Sequence, residues 1–211
     1  STSGVVDGID FLREVNLGKQ VGVGDEVVVI GGGNVAIDAA RTALRLGAKE
    51  VTIAYRRTRS EMPASAEEID EAVRERVKIL YLAAPVSVMT VDGRLKVEFI
   101  RMELGKVDSS GRRRPVPVEG SEFSHVYDTM LKAVGEQPEV PDKYTLSVGR
   151  GGRIEVDLDT LATSREGVYA GGDVVTGPAS VIEAVAAGRQ AAISIDRYLG
   201  GNGDIDELLT P

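Results

Sequence analysis

The sequence predicts an α/β fold built on a parallel sheet, and three observations carry that prediction. The first is Glu26-Val27-Val28-Val29-Ile30, a β-branched run without polar alternation, the pattern of a strand buried on both faces. The second is its direct passage into Gly31-Gly32-Gly33-Asn34-Val35-Ala36 and then a helix that ends at Gly47, a natural C-cap. The third is another β-branched run, Val51-Thr52-Ile53-Ala54-Tyr55. Strand, glycine turn, helix and strand within about 30 residues make a βαβ unit, the building block of a Rossmann-type sheet.

The remaining elements follow in chain order. Ser1 to Asp25 is glycine-rich, with a short amphipathic helix over Gly8–Val15 that offers Ile9, Phe11 and Leu12 for packing. After the βαβ unit comes a basic loop, Arg56-Arg57-Thr58-Arg59-Ser60-Glu61-Met62-Pro63. A charged amphipathic helix runs from about Pro63 to Glu75. Val77–Leu82 is a third strand. Pro85–Val91 and Leu95–Met102 are strands joined by a tight turn at Asp92-Gly93. A further turn falls at Ser109-Ser110-Gly111, before Arg112-Arg113-Arg114. The stretch from Pro85 to about Val126 is therefore a β-meander inserted between strands of the main sheet, and Met130–Val134 returns to it. Composition shifts at Gly135–Pro141, which places a domain boundary. Beyond it, Arg153–Val156 and Gly167–Ala170 are short strands, and Ser180–Tyr198 is a long Ala/Ile-rich helix. The tail after Gly200 is polar and acidic and is expected to fray.

Composition narrows the function classes. At 42% hydrophobic and 27% charged, the 211 residues can build an ordinary globular core. Aromatics are 4% with no Trp, and the net charge is -8, so stacking platforms and phosphate-backbone surfaces are not expected and no nucleic-acid partner is predicted. The absence of Cys excludes thiolate nucleophiles, disulfides and iron–sulfur ligation by this chain, and fits a reducing compartment. With one His, a zinc site is not expected, and no metal ligand set is proposed. No apolar run is long enough to span a membrane and no leader segment is visible, so the expected location is cytoplasmic.

The glycine turn has the context that dinucleotide binding needs. Gly31 permits the tight turn, Gly33 lets the backbone approach a pyrophosphate with no Cβ in the way, and Ala36 lets the helix sit close to the strand. Gly32, Asn34 and Val35 complete the turn, and the helix N-terminus presents N–H groups and a positive dipole end to the diphosphate. A glycine turn without a ligand is the plainer alternative. The end of the second strand selects the coenzyme. NAD-binding units place an acid there for the ribose 2′-hydroxyl. This chain has Tyr55-Arg56-Arg57 with Arg59 just beyond. Guanidinium forks match phosphate oxygens, which favours NADP(H); a solvated basic loop is the alternative. Asp38 is assigned to the helix dipole or to a contact with Arg41 or Thr42. His125 is a surface or packed residue rather than a catalytic one, and Arg112–Arg114 form a solvated arm.

With these residues in place, the chain resembles the small (β) subunit of NADPH-dependent glutamate synthase and its relatives. More broadly it is similar to the two-dinucleotide-domain flavoproteins of the pyridine nucleotide oxidoreductase superfamily. Three stretches carry the resemblance: Gly31–Asp38; Tyr55-Arg56-Arg57 through Arg59 and Met62-Pro63-Ala64 to Glu68; and Gly167–Asp173 with Gly177-Pro178-Ala179 and Ala184–Ala191. In such proteins an FAD-binding domain is interrupted by an NADPH domain. Only one glycine fingerprint is present here, and Gly149-Arg150-Gly151-Gly152 is not a second. The resemblance therefore implies a piece of such a protein. Residues 1–134 would be the NADP(H)-binding Rossmann domain, 135–200 the C-terminal part of an FAD-binding domain, and 201–211 a tail. It also implies that Gly172 and Asp173 belong to the flavin site, with Asp173 accepting a hydrogen bond from the ribityl chain, and that a helix starting near Ser180 and Val181 aims its N-terminus at the flavin. The implied activity is hydride transfer from NADPH to FAD, with electrons leaving to an accepting subunit or iron–sulfur domain. No general acid or base is assigned. A non-catalytic nucleotide-binding or assembly module, and an NAD(P)-dependent dehydrogenase acting on a small substrate, are the alternatives. The FAD-side remnant is expected to expose an apolar face, hence self-association.

Overall fold

The computed structural model describes residues 2–107, 111–135 and 137–205 and divides into two compact units, the first ending at Gly135. In the first unit, β1 (Val5–Asp7), β2 (Glu26–Gly31), β3 (Glu50–Tyr55), β4 (Lys78–Tyr81) and β9 (Thr129–Ala133) form a parallel sheet in the order β1-β9-β2-β3-β4. Between them lie α1 (Gly8–Asn16), α2 (Asn34–Arg45) and α3 (Ala66–Arg74). The sequence pattern does not reveal the short β1: three residues carry too little pattern to be seen without their partner β9.

The β-branched run in β2 divides its side chains between two cores. Val27 and Val29 pack with Phe11, Ile37, Ala40 and Ile69 on the helical side. Val28 and Ile30 pack with Leu95, Val97 and Phe99 of the insertion on the other. Burial on both faces removes any reason for polar alternation, and each such side chain contributes about 1.5–3 kcal/mol. On α2, Ala36, Ile37, Ala40 and Ala43 are buried at helical spacing. Of the α1 residues expected to pack, Phe11 is buried and Ile9 is exposed.

Two local assignments are corrected. The third helix starts at Ala66 rather than near Pro63, because Ser65 caps it reciprocally with Glu68. Arg41 does not serve Asp38, which is exposed. It binds Glu71 at 2.9 Å and Glu75 at 2.6 Å, clamping α2 to α3, and its hydrogen bonds hold the Glu75 carboxyl below the usual range.

The insertion comprises β5 (Ala83–Val91), β6 (Arg94–Val107), β7 (Arg113–Pro117) and β8 (Phe123–Tyr127), all antiparallel. Asp92 and Gly93, both at positive φ, make the two-residue turn between β5 and β6. The connection departs from a simple meander. β8 pairs with the first half of β6, through Lys96↔Val126, while β7 pairs with its second half, through Glu103↔Val116. At fourteen residues, β6 is long enough to serve both. Ser109 and Ser110 of the expected turn lie outside the described residues.

The second unit holds α4 (Asp173–Thr176) and α5 (Val181–Tyr198). The strands expected at 153–156 and 167–170 are not strands. The segment carries only isolated bridges, Val148↔Ile154, Val156↔Thr163 and Ala162↔Tyr169. Their alternating sequences fit a ladder, but no long partner lies beside them among the described residues. α5 buries only Ser194. Of the acidic tail, 206–211 lie outside the described residues.

Candidate nucleotide-binding site

Parallel pairing of β2 with β3, through Ile30↔Ala54, brings the glycine turn and the basic loop to the same sheet edge. Each glycine of the turn meets a different constraint. Gly31 has φ +148, and a Cβ there would stand 2.2 Å from the Ala133 carbonyl oxygen of β9. A Cβ on Gly32 would stand 2.6 Å from the Tyr55 ring. At Gly33 a Cβ would meet nothing within 4 Å, so the space over it is open. Gly33 is also the N-cap of α2 and offers no side chain to it, and the first turn carries no acid. The N–H groups around Asn34 and Val35 and the positive helix end are thus left for an external anion. This is the cradle that a pyrophosphate needs, and Ala36, fully buried, keeps the helix tight on β2.

The three arginines of the basic loop have different surroundings. Arg56 is exposed and makes no hydrogen bond or ion pair among the described residues. Arg59 is engaged, its Nη2 lying 2.7 Å from Asp70 Oδ1. Arg57, expected as a phosphate ligand, is 5% exposed, and its Nε donates to the Arg113 carbonyl oxygen at 2.7 Å. The arm around Arg112–Arg114 is exposed at Arg113 and Arg114 as its charge suggests, and it is also tied down: Arg113 donates to the carbonyls of Leu104 and Gly105.

Residues without an evident role in the sequence shape this loop. Tyr55 donates its hydroxyl to the Glu61 carbonyl at 2.6 Å. Thr58 and Glu61 cap the 3₁₀ turn at Arg59–Glu61 reciprocally, and the Thr58 hydroxyl holds the Glu61 carboxyl below the usual range. The spacing Thr58-x-x-Glu61 is a readable signal, the capping-box pattern. Neither the Tyr55 ring under Gly32 nor the Arg57–Arg113 bond has one, since both depend on packing.

In the second unit, a groove of about 380 Å³ runs beside Gly171, Gly172, Asp173, Ser180, Val181 and Ala184. Gly172 has φ +73, and a Cβ on Gly171 would press within 3.1 Å of Ala187. Asp173 Oδ1 accepts the Ala179 N–H at 3.3 Å. Ser180 is the N-cap of α5, but the helix end is not bare: the Ser180 N–H and hydroxyl both donate to Glu183, at 2.8 and 2.7 Å. Val181 and Ile182 stand 79% and 80% exposed. The structure therefore places the expected residues in one groove, with an acid already answering part of the helix dipole. His125 lies on β8, edge-on to Phe123 at 5.8 Å, in the insertion rather than at the glycine turn.

A family profile described as pyridine nucleotide-disulphide oxidoreductase matches residues 2–188. The NADP(+)-dependent formate dehydrogenase subunit beta of Moorella thermoacetica is 48% identical over 93% of this chain and 28% of its own length. The glutamate synthase [NADPH] small chain of Azospirillum brasilense is 39% identical over 92% of this chain and 44% of its own. The chain thus spans less than half the length of either relative. Among solved structures, Mycobacterium tuberculosis FprA in complex with NADPH superposes with a TM-score of 0.72 at 18% identity, over 99% of this chain and 61% of FprA, which is a likeness of fold.

Proposed function

This chain belongs to the pyridine nucleotide-disulphide oxidoreductase family, and we propose from that membership that its first unit, 1–134 with its boundary residue, binds NADP(H). The segment that follows, through residue 200, would supply one wall of an FAD site. The whole protein would pass a hydride from NADPH to FAD and hand the electrons to a partner subunit or iron–sulfur domain. The names of two relatives support the coenzyme and the subunit character alone: NADP(+)-dependent formate dehydrogenase subunit beta and glutamate synthase [NADPH] small chain. The observation that carries the reading is the open cradle over Gly33 beside an exposed, uncommitted Arg56.

In this reading the chain's own residues do no proton chemistry. The α2 N-terminus holds the diphosphate against Gly33, and Arg56 pairs with the 2′-phosphate. Asp173 and the Ser180–Val181 turn hold the flavin side, with the Asp173 carboxylate accepting from a ribityl hydroxyl. When bound, NADPH and FAD would supply the redox chemistry, and these residues would hold and orient them. Among the described residues no group of His, Cys, Asp and Glu is arranged to hold a metal ion.

Calorimetric titration with NADPH and NADH tests the first part. The expected result is a preference of about tenfold or more for NADPH, the worth of one or two charge-assisted bonds. Equal affinities would overturn it.

A further inference from the structure

Arg57 sits one residue from the exposed Arg56 yet faces a different task. It is 5% exposed, its Nε donates to the Arg113 carbonyl oxygen of β7 at 2.7 Å, and its own carbonyl accepts the Leu82 N–H at 3.2 Å. Arg113 lies in the antiparallel insertion and Leu82 immediately precedes it. The far limb of the loop has other anchors: Tyr55 to the Glu61 carbonyl, Thr58 with Glu61, and Arg59 with Asp70. At the near limb, beside Arg56, the tether is Arg57.

We propose that Arg57 is a positioning residue for coenzyme selection: it fastens the loop to the insertion so that Arg56 stands ready for a 2′-phosphate. This rests on the NADP(H) reading above. A phosphate ligand on a free loop must be ordered when the coenzyme binds, and that ordering subtracts from affinity. A guanidinium suits the opposite purpose. Its planar fork gives a directed donor on a long apolar stem, so it can be buried and still reach a backbone carbonyl. The insertion thereby gains a role beyond covering one sheet face. It is the scaffold against which the selective loop is set.

A double-mutant cycle tests this on the 211-residue chain, with adenosine 2′,5′-bisphosphate and AMP as calorimetric probes. Arg56→Ala should weaken the bisphosphate about tenfold and leave AMP unchanged. Arg57→Ala should weaken the bisphosphate about threefold or more, again with AMP unchanged, and should add nothing once Arg56 is already Ala. Additive losses would make Arg57 a direct ligand and overturn the proposal. Equal weakening of both probes would make it a general structural residue, and would overturn the proposal too. Should Arg57→Ala fail to fold by circular dichroism, Arg57→Met keeps the stem without the donor, and the same cycle applies. If the wild-type chain binds both probes equally, the NADP(H) reading itself has failed, which is a different result from a failed cycle.

Discussion

At the scale of single residues, the three glycines of the turn separate binding from folding. Gly33→Val would put branched carbons into the open cradle, where a Cβ meets nothing within 4 Å, so the chain should fold normally and lose NADPH and NADH affinity together, by about tenfold or more by calorimetry. Gly32→Ala drives a methyl into the Tyr55 ring instead. Its expected effect is a lowered thermal midpoint, by about 1–3 kcal/mol of overpacking. A Gly33→Val chain that keeps NADPH affinity would reduce the turn to a structural feature. The sequence distinguishes these roles in part. The special status of Gly33 follows from its place after a strand and before a helix. That of Gly32 depends on an aromatic ring from the neighbouring strand, which no local pattern reports. Arg57 shows the same limit: a basic run names the residues that carry charge, and only burial tells which of them face solvent.

At the scale of elements, the start of β2 hangs on Asp128. Its Oδ2 accepts the N–H groups of Asp25 and Glu26, each at 2.8 Å, and its Oδ1 accepts Arg94 Nε at 2.7 Å. The Glu26 N–H is the first cause that holds this carboxyl below the usual range, with Arg94 and the Asp25 N–H adding to it. Asp128→Ala should therefore destabilise the first unit by about 2–3 kcal/mol at neutral pH, measured by urea unfolding. The sign of the pH effect follows from the depressed folded pKa. The stabilisation is complete above the unfolded value near 4 and is lost as pH falls through the lower folded value. The gap between wild type and Asp128→Ala should close in that acid window, and a gap that persists unchanged there would count against the assignment. Elements are legible where periodicity is long, as in α2 and α5, or where the run is β-branched and doubly buried, as in β2 and β3. Short strands are not. β1 leaves no readable pattern, and 153–156 and 167–170 mimic strands because alternation alone cannot supply the partner that makes a ladder.

At the scale of the whole molecule, α5 bears on the proposed flavin site and on self-association. Val181, Ile182, Val185 and Leu199 are all exposed on or beside it. The groove at Gly172 and Asp173 is lined by residues 171–191 alone, and the chain contains no second glycine fingerprint for the FAD diphosphate. These 211 residues by themselves should retain no FAD on gel filtration and catalyse no NADPH-dependent dye reduction. Turnover that vanishes in Asp173→Ala would overturn that expectation. The exposed face should also drive concentration-dependent association by light scattering, relieved by Val181→Ser with Ile182→Ser. The sheet order carries a consequence of another kind, in time rather than space. β9 is the last strand made, yet it sits between β1 and β2, pairing Met130 with Val5 and Thr129 with Val27. Until Thr129–Ala133 leaves the ribosome, the sheet has a vacant slot between β1 and β2, with both facing strand edges unpaired. Such late, long-range closure makes folding slow and leaves the nascent chain open to off-pathway pairing. A nascent chain arrested just short of Thr129 should remain protease-sensitive throughout its first unit, and gain protection in one step when the final strand slides into place.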